Sequence, residues 1–325
     1  MRRRDFIKLI GGAVTWPTAA GAQQSAVPVV GFLRDTSADG GKQFAAAFRQ
    51  GLRETGFIES QNVTIDYRWT DGQSERLPAL AAELVRRRVS LIVGSAIGAT
   101  LAAKAATSTI PIVFAVANDA VAFGLVASMA RPGGNLTGVS YLTAELGGKR
   151  LGLLHELVPK VTHVALLTNA NNPNTRIFVQ DVEAAARSIG LRSETFSAAD
   201  EHEIELAFAE LSKRRIGALL VGPDTLFTSL HQQIVQLAAR YAIPTIYTAR
   251  EFAEAGGLLT YGPSLPGVYR QTGVYAGRIL KGEKPAELPV LLPTTFEMIV
   301  NLKTAKALGL DIAPTLVARA DEVIE

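Results

Sequence analysis

The chain contains no cysteine. Disulfides, thiolate metal sites and a lipid-bearing Cys at a processed N-terminus are therefore excluded, and the absence suits an oxidising compartment. Histidine is scarce. His155, His163, His202 and His231 lie far apart, and no H-x-x-x-H or His–carboxylate spacing points to zinc. No G-x-G-x-x-G follows a strand-like segment and no G-x-x-x-x-G-K occurs, so a nucleotide cofactor lacks a phosphate cradle. Gly94-Ser95-Ala96 is not a nucleophile elbow, which needs glycines two residues either side of the serine. These absences lead to the expectation of no metal, no cofactor and no enzyme, although a catalytic constellation assembled only by folding stays open.

What is present is globular: 325 residues, 48% hydrophobic and 19% charged, enough for about two domains. Residues 1–22 resemble a twin-arginine export signal. Arg2, Arg3 and Arg4 open it, R-R-D-F-I-K runs from Arg3 to Lys8, a weakly apolar stretch follows, and Ala20-Gly21-Ala22 offers a small-x-small cleavage site. The apolar stretch is broken by Lys8 and Pro17 and is too short to span a bilayer. Without Arg2, Arg3, Arg4, Lys8 and Asp5 the chain carries 29 basic and 29 acidic residues. The formal charge of +3 thus belongs to the export segment, and a nucleic-acid surface loses its support. The expected product is soluble and periplasmic.

From Val27 onward, short apolar segments such as Leu91-Ile92-Val93 alternate with amphipathic helices. Runs apolar throughout suit strands covered on both faces, hence parallel sheets in doubly wound α/β layers. The two halves also repeat. Leu33, Arg53 and Gly56-Phe57 match Leu167, Arg187 and Gly190-Leu191. Arg86-Arg87-Arg88 matches Lys213-Arg214-Arg215, and Ile110-Pro111 matches Ile243-Pro244. Two Rossmann-like lobes with similar topology are the economical reading, with a ligand cleft beside the carboxyl ends of the strands. The expected division is 27–142 plus 263–290 for lobe 1 and 143–262 plus 291–325 for lobe 2, joined by a hinge of several strands.

The run R-P-G-G-N-L-T-G from Arg131 to Gly138, the alanine-rich segment after Leu101 and the closing A-R-A-D-E-V-I-E resemble the ABC-transporter substrate-binding proteins of the tryptophan/tyrosine type. The resemblance covers essentially the whole mature chain. It implies a type 1 periplasmic-binding fold, a ligand held between lobes, delivery to an inner-membrane permease, and action as a monomer.

Candidate ligand residues follow from strand ends. The loop after Leu33 offers Arg34, Asp35, Thr36 and Ser37; its repeat partner offers Thr168, Asn169, Asn171 and Asn172. Such groups suit a zwitterionic or hydroxylated ligand, and equally they cap helices or close turns. Ser95 and Ala96, before a helix, suit a ligand carboxylate, with simple N-capping as the alternative. Asn118 and Asp119 follow another strand. Asp224 is read as the partner of a ligand ammonium or as an N-cap, and Glu251 as a second cation partner. Tyr141, Tyr247 and Tyr261 either stack on an apolar ligand or belong to the core. Two other functions share the fold: a periplasmic sensing module for a signalling receptor, and a repressor core, which lacks its N-terminal helix-turn-helix here.

Overall fold

The computed structural model describes residues 27–325; the expected export segment lies outside them. The first sheet holds β1 (Val29–Arg34), β2 (Thr64–Trp69), β3 (Leu91–Ser95), β4 (Ile112–Val116) and β5 (Leu136–Ser140), in the order β2-β1-β3-β4-β5. All its pairings are parallel. Helices α1 (Ala38–Glu54), α2 (Leu77–Arg86) and α3 (Ile97–Ala106) connect the first strands. Successive residues enter opposite cores: Val30, Phe32, Val93 and Ala115 pack on one face of the sheet, Leu33, Ile92 and Phe114 on the other. That two-sided burial is why these strands read as continuous apolar runs.

The chain then crosses to a second sheet through α4 (Gly147–Leu157). Its strands are β6 (His163–Thr168), β7 (Arg192–Ser197), β8 (Ala218–Val221), β9 (Thr245–Tyr247), β10 (Leu259–Pro263), β11 (Phe296–Asn301) and β12 (Glu322–Ile324). The order is β12-β11-β10-β9-β8-β6-β7, and only β10 and β11 run antiparallel. Helices α5 (Thr175–Ser188), α6 (Glu201–Lys213), α7 (Thr225–Ser229), α8 (His231–Arg240) and α9 (Arg250–Glu254) cover it. The order β7-β6-β8-β9-β10 repeats that of the first sheet. The repeat reaches the backbone, since Arg88 and Arg215, matched in sequence, both take a φ of 53° just after α2 and α6.

The chain crosses between the sheets three times. It leaves the first after β5, returns after β10 as α10 (Leu265–Leu280), and goes back into β11 before closing with α11 (Leu302–Ala307) and α12 (Pro314–Val317). Helix α10 docks on α1, and Leu291 bridges to Val139 of β5, so this excursion belongs to the first lobe. Ser264 N–H donates to Thr295 O at 3.1 Å, tying the second crossing to the third. Arg150 of α4 ties the first to the second, donating to the carbonyls of Thr143 (3.0 Å) and Tyr261 (2.7 Å). It is 0% exposed, and burial pushes its guanidinium down, to about 9.

Candidate functional site

Loops that follow strand carboxyl ends in the two sheets meet. Asn118, after β4, donates to Asn174 at the start of α5 at 3.0 Å, and this pair is buried. Gln43 of α1 donates to Glu251 of α9 at 2.8 Å. Beside the second contact lies a cavity lined from both lobes by Gln43, Phe44, Thr248, Glu251 and Leu265, where two facing open sheets are expected to leave a cleft.

On the lobe 1 wall, Arg34 ends β1. Its Nη1 donates to Ser95 Oγ at 2.6 Å and to Tyr269 Oη at 2.5 Å, and its Nε donates to Thr36 Oγ1 at 3.0 Å. Ser95 Oγ and Tyr269 Oη also share a 2.6 Å hydrogen bond. The Arg34 guanidinium lies over the rings of Phe44 (4.3 Å) and Tyr269 (5.5 Å). Tyr141 stands nearby, and its phenol is pushed up by burial and by Tyr269, against the opposing pull of Arg34. Ser95 is therefore a strand-end hydroxyl within a polar cluster. The N-cap of α3 is Ala96, which has no side chain to cap with and sits at φ 81°, ψ 164°. That region is essentially reserved for glycine, and strain of this kind collects at ligand clamps.

On the lobe 2 wall, Asp224 caps α7, accepting from Leu226 N–H at 2.8 Å. Asn169 Nδ2 donates to that same oxygen, Oδ1, at 3.4 Å, and Asn172 Nδ2 donates to Oδ2 at 2.7 Å. Asn169 Oδ1 in turn holds Asn171 N–H at 3.0 Å. The capping and ligand-facing readings are thus not exclusive: the cap fixes a carboxylate at the strand end and leaves one lone pair, on Oδ2, for a donor.

The remaining candidates are placed differently. Asp35 accepts from Thr70 and Ser74, both at 2.7 Å, and so closes its own loop. Asp119 accepts from Val121 and Ala122 N–H groups. Thr168 is buried, and Tyr261 is half-buried and stacks on Phe296. Tyr247 corrects an expectation: it is 1% exposed, stacked on Phe252 inside the second lobe's core, and a ring with no free face cannot stack on a ligand. Phe44, Asn174 and Tyr269 were not visible as site residues in the sequence. Tyr269 comes from α10, which shares no local pattern with β1, and no sequence signal joins them.

Against this geometry stand the known proteins. A family model described as ABC transporter substrate binding protein matches residues 29–324. The chain belongs to that family. A tyrosine-binding protein of Clostridioides difficile (strain R20291) is 27% identical over 264 residues, 81% of this chain and 75% of the relative. An ABC domain from Streptococcus pneumoniae in complex with L-Trp aligns with TM-score 0.82 at 27% identity, covering 91% of this chain and 99% of that one. A ligand-free, open substrate-binding protein with adhesive properties from Clostridium difficile gives 0.72 at 25% identity, with 92% and 99% covered. The two lobes have the type 1 periplasmic-binding fold. This is a family of solute-binding proteins, and among the described residues no helix is long and apolar enough to cross a membrane.

Proposed function

We propose that this chain is the exported solute-capturing component of an ABC importer, holding an amino acid or close relative between its lobes and leaving it chemically unchanged. The observation that carries the reading is that polar strand-end loops of the two lobes touch through Asn118–Asn174, with helices α1 and α9 joined through Gln43–Glu251. An aromatic amino acid is favoured by the tyrosine and L-Trp named for the two relatives. The greater likeness to the L-Trp complex than to the open, ligand-free relative is what lobes in contact would give. An inner-membrane permease follows from the family, and periplasmic location from the twin-arginine-like start and the lack of cysteine.

In this mechanism a solute reaches both walls only when the lobes close, so its differential affinity for the closed state drives the hinge. Asp224 receives the ligand's ammonium, with Asn169, Asn171 and Asn172 beside it and Ala96, Thr36, Asn118 and Tyr141 opposite. Glu251 stands at the rim. Asp224→Asn keeps an N-cap residue and the hydrogen-bonding shape while removing the charge. It is expected to weaken amino-acid binding, measured by titration calorimetry, by roughly 2–4 kcal/mol, the loss for a desolvated charge pair deprived of one partner. Unchanged affinity would remove Asp224 from the site.

A further inference from the structure

Arg34 is half-buried, yet among the described residues no carboxylate forms a salt bridge with it. Its neighbour in sequence, Asp35, is turned onto Thr70 and Ser74. A partly buried cation held by neutral groups alone has room for an anionic partner.

Counting donors sharpens the point. Nε and Nη1 are engaged by Thr36, Ser95 and Tyr269, whereas Nη2 has no hydrogen-bond partner among the described residues and is not sealed from solvent. Ser95 Oγ and Tyr269 Oη each accept from Nη1 and share one hydrogen bond between them. Both hydroxyls are buried, with Ser95 at 0% and Tyr269 at 1% exposure, so they hold the guanidinium rather than meet a solute. The cluster therefore presents the two N–H groups of Nη2 as donors on a fixed positive charge. The rings of Phe44 and Tyr269 hold the guanidinium in plane, and Thr36 fixes its Nε, so the fork is set before any ligand arrives.

We infer that Arg34, positioned by the buried Ser95–Tyr269 hydroxyl pair, is the anchor for a carboxylate on the captured solute. Acidic solutes are then the substrate class, and sugars, polyols and simple amines are excluded. The inference rests on the reading of the cleft as a solute site, and it names the group that the lobe 1 wall selects. A donor-rich cation on lobe 1 and the Asp224 carboxylate on lobe 2 match the two ends of a zwitterion.

The test uses matched ligands on residues 23–325. L-tyrosine, L-tyrosinamide, tyramine and 3-(4-hydroxyphenyl)propionate share a ring and differ only in charged groups; leucine, leucinamide, isopentylamine and 4-methylpentanoate form an aliphatic counterpart. Acetate serves as a probe small enough for a pocket of any shape. Calorimetric titration is expected to show each acid binding at least ~10-fold tighter than its amide, the scale of one charge-assisted hydrogen bond. Arg34→Gln is expected to abolish that preference, and Arg34→Lys, which keeps the charge without the fork, to retain part of it. The wild-type comparison stands even if Arg34→Gln fails to fold. Acids that bind without an ammonium group would support Arg34 while overturning the amino-acid reading. Amides equal to acids, binding by the amines alone, or no binding by any carboxylate including acetate would overturn the anchor.

Discussion

Ala96 is the residue where local preference and fold disagree most openly. Its φ of 81° and ψ of 164° place Cβ where only glycine is comfortable, and it directly follows Ser95 of the polar cluster. Such a residue stores about 1–3 kcal/mol, while glycine brings an entropic cost of roughly 0.5–1 kcal/mol. Ala96→Gly is accordingly expected to raise the free energy of unfolding by about 1 kcal/mol, read from urea denaturation; a clear loss of stability would show that the conformation is unstrained. The sequence made much of this wall legible, because polar residues at the ends of apolar runs announce themselves: Arg34, Thr36, Ser95, Asn169, Asn172 and Asp224 all sit where strands stop. It did not reveal which of them spend their hydrogen bonds locally. Asp35 and Asp119 look identical in kind to Asp224, and only the fold shows them closing their own turns. Tyr247 failed for a related reason: a strand-end aromatic reads the same whether its ring meets the cleft or, as here, Phe252.

Among the elements, α1 and α10 carry the arrangement of the first lobe. They cross with glycine at the contact on each side: a Cβ on Gly51 would overlap the Arg270 carbonyl oxygen, and one on Gly273 the Phe48 carbonyl oxygen. Gly273→Ala is expected to destabilise by roughly 1–3 kcal/mol through overpacking. This is the reverse of the ~1 kcal/mol gain that helix propensity alone would give. Gly152 of α4 supplies the contrast, since nothing lies within 4 Å of its notional Cβ. There Gly152→Ala is expected to stabilise by up to about 1 kcal/mol. Thermal melts of the two variants side by side check both signs. The parallel sheets were legible because runs such as Ile112–Val116 are buried on both faces. The short β12 and the antiparallel pairing of β10 with β11 were not, since edge pairing is decided by which distant segment arrives, not by local pattern.

At the scale of the whole molecule, the three crossings make a hinge whose strands are held together on the lobe 2 side by the buried Arg150. Among the described residues the lobes meet through polar contacts such as Asn118–Asn174 and Gln43–Glu251, and such contacts can be exchanged for ligand contacts at small net cost. The central claim, that a solute is captured by closure of two lobes, is tested most directly by measuring the distance between them. The absence of native cysteine makes this simple, because Glu75→Cys and Gln232→Cys, both at exposed positions on opposite lobes, would carry the only thiols. With spin labels on that pair, pulsed electron spin resonance is recorded while L-tyrosine, L-tryptophan and the other amino acids are titrated in. Shortening and narrowing of the interlobe distance, saturating at one equivalent of a carboxylate-bearing ligand that is recovered unchanged, is the expected result. A distance distribution unmoved by every ligand that calorimetry shows to bind would contradict capture between the lobes.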